Sequence, residues 1–201
     1  MSQHDFWKGE FGDRYIERNN TRDLRASNLI LFSTILNQTK ISPLSILEVG
    51  ANIGLNVEAL KQLLPNCNFT GIEINGRAAK LLEKTGAKVL VGSIEETSCT
   101  EKYDLVFSKG VLIHINPDSL NLVYEKMYEA SNRWILTIEY YSRNPSEITY
   151  RGQRNVLFKR DFSGDLMDKY GEKLRLVDYG FVYHRDIFPQ DDLNWFLLEK
   201  Q

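Results

Sequence analysis

The residues best suited to chemistry begin in the stretch ILEVGANIGLN, positions 46–56 of a 201-residue chain. An apolar run there carries Glu48 near its end, turns through Gly50, Asn52 and Gly54, and reaches Asn56. Glycine at 50 and 54 lets the backbone bend sharply and approach a ligand, because no Cβ intervenes and positive φ is open. A dinucleotide fingerprint would need glycine at 50, 52 and 55, but Asn52 and Leu55 occupy two of those places. A pyrophosphate depends on that close approach. Glu48 at the loop entrance repels phosphate and suits a cationic or amine-bearing ligand. Glu73, followed by Ile74, closes the next apolar run, where a carboxylate accepts the two hydroxyls of a ribose. Together these groups ask for a nucleoside that has a cationic end and no phosphates.

Other side chains could act on a substrate. His114, between Ile113 and Ile115, is a candidate proton acceptor, and a hydrogen-bonded structural histidine is the competing reading. Glu139, Tyr140 and Tyr141 end an apolar run, with Glu139 and Tyr140 further candidates to accept or orient a proton and Tyr141 facing substrate. The segment FWKGEFGDRYIERN places Trp7 and Tyr15 among charged residues. It reads either as an amphipathic helix packed on the core or as a lid whose aromatic faces attract a cation and exclude water. Between 142 and 165, Arg151, Arg154, Lys159 and Arg160 lie in a long charged segment suited to a carboxylate or phosphate on the substrate.

The elements that must position these groups alternate. The runs LSILEV, CNFTGIEI, AKVLVG, YDLVFS and RWILTIEYY read as buried strands. The stretches NVEALKQLLP, NGRAAKLLEKTG and NPDSLNLVYEKMYEAS read as helices between them, and LRASNLILFSTIL as an amphipathic helix before them. Strand and helix in alternation predict a doubly wound α/β fold, Rossmann-like, with a mostly parallel seven-stranded sheet. The late runs LRLVDYGFVY and LNWFLLEK predict antiparallel pairing at one edge. A single domain spans 1–201: a helical cap or lid segment at 1–40, a ligand-binding core at 44–141, and a substrate loop with edge strands at 142–201.

Composition narrows the function classes. Hydrophobic residues make up 42% of the chain, enough to bury a core, and the net charge of −2 lacks the basic excess of a nucleic-acid binder. Cys67 and Cys99 form no C-x-x-C pair, so no metal site is expected, and two free thiols fit a reducing cytoplasm. The opening MSQHDFWKGE lacks the apolar stretch of a signal peptide, and no run is long enough to span a membrane.

The E-x-G-x-x-x-G loop, the acidic end of the second strand, VGSIEE and YDLVFSKGVLIHI resemble class I S-adenosylmethionine-dependent methyltransferases over roughly residues 44–140. FWKGEFGDRYIERN, SKGVLIHINP and FPQDDLNWFLLEK further resemble the small methylases associated with pseudaminic acid biosynthesis, a nonulosonic sugar pathway. The resemblance departs at Asn52, where the commoner pattern has glycine. It implies S-adenosylmethionine as cofactor, with Glu48, Gly50 and Gly54 shaping its methionine end and Glu73 holding its ribose. Ser93 and Ile94 would flank the adenine, and Lys109, Gly110 and Val111 would contact the methionine moiety. Trp7, Tyr15, Asn52, Asn56 and Ile74 complete the expected cofactor contacts. The acceptor is then a nitrogen or oxygen of a small molecule, a nonulosonic sugar or its nucleotide-activated form. SKGV after the fourth strand, where base-directed enzymes carry an N-P-P-Y-like tetrapeptide, disfavours nucleic-acid bases. A non-catalytic cofactor-binding subunit and an NAD-dependent oxidoreductase are the alternatives.

Overall fold

A computed structural model describes residues 3–201; Met1 and Ser2, the first positions of the expected cap segment, lie outside them. The chain opens with three helices, α1 (Gln3–Lys8), α2 (Glu10–Arg18) and α3 (Arg22–Thr39). It then alternates through β1 (Ser45–Val49), α4 (Leu55–Leu63), β2 (Asn68–Glu73), α5 (Gly76–Glu83), β3 (Lys88–Val91), β4 (Tyr103–Lys109), α6 (Leu120–Ala130) and β5 (Ser131–Glu139). A short pair, β6 (Ser146–Glu147) and β7 (Phe158–Lys159), precedes α7 (Phe162–Tyr170) and the closing strands β8 (Leu174–Val182) and β9 (Leu193–Lys200).

Seven strands form one sheet in the order β3-β2-β1-β4-β5-β9-β8. The first five run parallel; β9 inserts antiparallel beside β5, and β8 pairs with β9 as the antiparallel edge. Alternation of apolar residues explains why helices must cover both faces. Ile46, Phe69 and Phe107 pack with Leu31, Phe32 and Leu60 of α3 and α4. On the other face of the same strands, Leu47, Ile72 and Val106 pack with Val123, Met127 and Leu166 of α6 and α7. A strand whose successive side chains both meet helices loses apolar surface on two sides, which is the dominant stabilising term of such sheets.

Local signals set the helix starts. Thr21 Oγ1 accepts the Leu24 amide at the head of α3, and Asn75 Oδ1 accepts the Arg77 and Ala78 amides at the head of α5. The expected charged loop at 142–165 is instead partly ordered into the β6–β7 pair and the first turn of α7. Asp161 caps that helix by accepting the Gly164 amide at 2.7 Å, and Phe162 and Leu166 bury its inner face at helical spacing. After β3 the chain crosses over to the far side of β1 and enters β4. The carboxyl ends of β1 and β4 therefore part company, and the crevice they leave is where ligands bind in open α/β sheets.

Candidate active site

A cavity of about 200 Å³ opens at that crevice, many times the space one water needs. Its walls come from the β1–α4 loop, the end of β2, the turn after β3, the β4 end with the following turn, and α1–α2 as a cover.

The β1–α4 loop is wound tightly. Gly50 has φ of 70°, and a Cβ there would stand 2.6 Å from Val111 Cγ2, so the two strand ends touch where the loop begins. Asn52 takes φ of 49°, a left-handed conformation that asparagine tolerates better than most residues. Three loop amides are committed: Ala51 N–H donates to the Ile72 carbonyl at 2.9 Å, Gly54 N–H to the Ala51 carbonyl at 2.9 Å, and Asn52 N–H to Glu73 Oε2 at 2.7 Å. A phosphate seated here would compete with Glu73 for the Asn52 amide and meet its carboxylate, which weighs against the NAD alternative. Gly54 does not line the cavity; it starts α4 with φ of 86°.

Glu73 lies on the wall, 7% exposed, and its second oxygen accepts the Asn75 amide at 2.7 Å. Burial raises its carboxyl above the ordinary range, opposed by the amides of Asn75, Asn52 and Ile74. The backbone thus fixes both oxygens in place and leaves their remaining lone pairs as acceptors for hydroxyls. Ile74, Ser93 and Ile94 continue the wall beyond it.

Glu48 stands behind the wall rather than on it. It is 1% exposed, and burial pushes its carboxyl up to about 8, against the Asn56 amide donor and the nearby Lys109. Asn56 donates Nδ2–H to Glu48 Oε1, while Glu48 Oε2 and Asn56 Oδ1 are buried without partners. Because Asn56 lines the cavity, this unspent acceptor capacity fits a ligand ammonium group. Lys109, Gly110 and Val111 face it from the end of β4. Burial lowers the Lys109 ammonium, countered by Glu48, Asp191 and Glu139.

His114 also lines the cavity, within ring contact of Trp7 at 4.7 Å and Tyr150 at 5.6 Å. Its Nδ1 lies 2.6 Å from the Val156 carbonyl. A carbonyl only accepts, so Nδ1 carries the proton and Nε2 is the unprotonated nitrogen. Burial depresses the ring to about 4, the Val156 bond opposing, so the imidazole is neutral at pH 7. Trp7 and Tyr15 cover the cavity with rings 5.4 Å apart. Tyr15 is pushed up to about 12 by burial and by its neighbours Tyr150 and Asp191, and stays neutral.

Several expected substrate groups are spoken for. Glu139, 3% exposed and raised to about 7 by burial, does not line the cavity; its carboxylate accepts the Val111 and Leu112 amides at 3.1 Å and the Ile113 amide at 3.5 Å. It anchors the turn that carries His114. Tyr140 also lies off the wall, its phenol raised by burial and by Asp191, with Lys159 Nζ 4.8 Å from its ring. Tyr141 is 42% exposed beside Phe196. Arg160 pairs with Asp165 at 2.6 Å, and Arg151 and Arg154 are exposed on the segment joining β6 to β7. Sequence reasoning missed Asn75 and His4, both on the wall; the position of Asn75 as a helix-capping residue directly after Glu73–Ile74 was the available signal.

Residues 46–133 match a family described as "Methyltransferase domain". No curated protein matches the chain in sequence. Among solved structures, magnesium protoporphyrin IX methyltransferase from Synechocystis PCC 6803 with bound SAM superposes with a TM-score of 0.73 at 12% identity, over 100% of this chain and 98% of that one. The plantazolicin methyltransferase BpumL in complex with SAH gives 0.70 at 17% identity over 99% and 94%. The Burkholderia thailandensis 1,6-didemethyltoxoflavin-N1-methyltransferase gives 0.70 at 15% over 99% and 87%. These likenesses carry the Rossmann-like fold.

Proposed function

We propose that this chain is a class I methyltransferase that takes S-adenosylmethionine as its cofactor and methylates a nitrogen or oxygen of a small molecule beside His114, in line with the methyltransferase-domain match over residues 46–133. The observation that carries the reading is the wall itself: a fixed carboxylate for ribose hydroxyls at Glu73, which also takes the Asn52 amide of the loop, and unspent polar capacity at Asn56. The cofactor, when bound, supplies a methyl group activated by a sulfonium.

The chain's own part is alignment. Glu73 holds the ribose, Ser93 and Ile94 border the base, and Gly50, Asn56 and the Lys109–Val111 backbone border the methionine end. Trp7 and Tyr15 exclude water above it. His114 Nε2 accepts a hydrogen bond from the acceptor's N–H or O–H and orients its lone pair; at about 4 the ring is too weak a base to keep the proton, which passes to solvent. Positioning of this kind contributes on the order of 7–11 kcal/mol in well-oriented systems.

The finer assignment, an acidic nonulosonic sugar or its nucleotide-activated form, draws on the motif resemblance and on the cations beside the mouth. Tyr150, which abuts His114, sits next to Arg151, and Arg154 follows on the same segment. In this reading residues 1–40 cap the site, 44–141 bind cofactor, and 142–201 present the acceptor, in a reducing cytoplasm that keeps Cys67 and Cys99 as thiols. Among the described residues no helix is long and apolar enough to cross a membrane.

Titration with S-adenosylhomocysteine, then product detection over a panel of sugars, amines and phenols, is the test. Binding with a methylated product supports the proposal; binding of nicotinamide dinucleotide in its place refutes it. If the acceptor is acidic, replacing Arg151 and Arg154 by Ala raises its KM about tenfold, the loss of roughly one charged contact, with kcat unchanged; an unchanged KM removes the acidic-sugar assignment.

A further inference from the structure

Asn75 joins the cofactor wall to its cover. The cover, α1 and α2, contributes Trp7, Gly12 and Tyr15 to the cavity but little to the core. None of the α1 residues is buried, and α2 buries Gly12 and Ile16 alone. Ile16 meets Ile53 and Ala78 in a small cluster of its own. Other ties reach the cover from His4 to Glu95 at 2.5 Å, Lys8 to Glu96 at 3.9 Å, Gln3 to the Asn155 carbonyl at 3.0 Å and Arg77 to Glu17 at 3.3 Å, together with ring contacts of Trp7 with His114 and Phe11 with Tyr150; the exposed polar ones among them are individually weak.

Asn75 is different: it is 4% exposed and uses every part of its side chain. Oδ1 accepts the Arg77 and Ala78 amides at 2.9 and 3.0 Å, which starts α5. Nδ2 donates to the Trp7 carbonyl at 3.2 Å, to Asp13 Oδ1 at 3.1 Å and, more distantly, to the Lys8 carbonyl at 3.4 Å. Trp7 and Lys8 end α1, where carbonyls have no partner within the helix; Asp13 lies in the first turn and a half of α2. One buried amide therefore satisfies both sides of the α1–α2 corner. The corner is close-packed around it, since a Cβ on Gly12 would fall 2.0 Å from the Trp7 carbonyl oxygen and 2.9 Å from Nδ2. The Asn75 backbone N–H meanwhile holds Glu73 Oε1.

We propose that Asn75 is a positioning residue that seats the α1–α2 cover on the cofactor wall, closing Trp7 and Tyr15 over the site and setting how long the cofactor stays. The statement about cofactor residence rests on the function proposed above; the seating does not. An amide accepts for α5 while offering two donors to the cover, where a hydroxyl would offer one. Aspartate has the same size and caps a helix as well as asparagine does, but it donates nothing and sets a carboxylate against the Trp7 carbonyl and Asp13. The Glu73 contact is made by the backbone and survives the change.

The test compares wild type with Asn75→Asp. Two readouts need no ligand: amide exchange over residues 3–18, and acrylamide quenching of Trp7, which the buried Trp134 and Trp195 leave as the accessible indole. Exchange and quenching are expected to rise about tenfold and severalfold, and S-adenosylhomocysteine to dissociate about tenfold faster, matching the loss of one to two net hydrogen bonds. A merely capping role predicts no change in any of these, and wild-type exchange over 3–18 in Asn75→Asp overturns the proposal. Should that variant not fold, Asp13→Ala removes one acceptor while sparing the cap and Glu73; exchange over 3–18 must still rise, and its constancy overturns the proposal equally. If wild type fails to bind S-adenosylhomocysteine, the proposed function falls, whereas the two ligand-free readouts still decide on Asn75.

Discussion

Replacing Glu73 by Gln isolates the contribution of a charged, backbone-held acceptor at the end of the site proposed to hold the ribose. Both carboxylate oxygens accept a main-chain N–H at 2.7 Å, one from Asn52 and one from Asn75. An amide has a single carbonyl oxygen, so in either orientation its NH2 faces an N–H and one buried donor is left unsatisfied. Losing a hydrogen bond to a charged group costs about 1.5–3 kcal/mol, and stranding the donor adds to it. Against this, removing a charge that burial already disfavours returns part of the cost. A net loss of about 2 kcal/mol follows, or about 4–8 °C in Tm for a chain of this length. Ligand binding suffers separately, since the ribose hydroxyls would donate to a neutral oxygen at best, and S-adenosylhomocysteine affinity should fall about 10- to 100-fold. Thermal melting and isothermal titration of the same preparation measure the two effects. An unchanged melting point together with unchanged affinity would refute the assignment of Glu73 as a fixed acceptor.

Burial raises Glu48 to about 8 and Glu139 to about 7 from 4.5, so the native state binds more protons than the unfolded one. Stability should therefore be greatest below pH 4.5 as far as these two groups act, and decline as pH rises through 7 and 8; Glu48→Gln should flatten the decline in urea titrations at pH 5 and 8.5, and an unaltered slope would argue against burial as its cause. Replacing His114 by Ala should lower kcat about 10- to 100-fold while cofactor affinity holds, at or below the low end for proton-handling side chains because the ring orients the acceptor without keeping its proton. Because burial keeps the ring neutral above about 4, the wild-type rate profile should lack an inflection near 6.5; finding one would place a titrating histidine in the reaction. Asn52→Gly relieves a left-handed φ of 49° and keeps the amide bond to Glu73, but frees the unfolded chain. These oppose each other at under about 1 kcal/mol each, so affinity should move less than about threefold, and abolished binding would assign its side chain a direct contact.

Local pattern accounts for what the sequence determined by itself: the alternation of strands and helices, the turn after β1, the capping residues, and the placement of Glu73 at a strand end. Each depends on residues a few positions apart, whose periodicity and φ preferences act before any tertiary contact forms. The charged segment at 142–165 shows the limit of that reading, because the apolar spacing of α7 is short and sits beside a run of cations. Tertiary structure alone decided which groups remained available for chemistry. Glu139, a strand-end carboxylate like Glu73, turns to the amides of residues 111–113, brought beside it by the β4–β5 pairing. Arg160 is held by Asp165 on α7, and the tautomer of His114 is set by a carbonyl 42 residues later in the chain. Asn75 reads locally as a helix cap, and its second task exists only because α1 and α2 fold back over the sheet. A buried polar group must find its partner wherever the fold supplies one, and that partner is set by packing across the whole chain rather than by its neighbours in sequence.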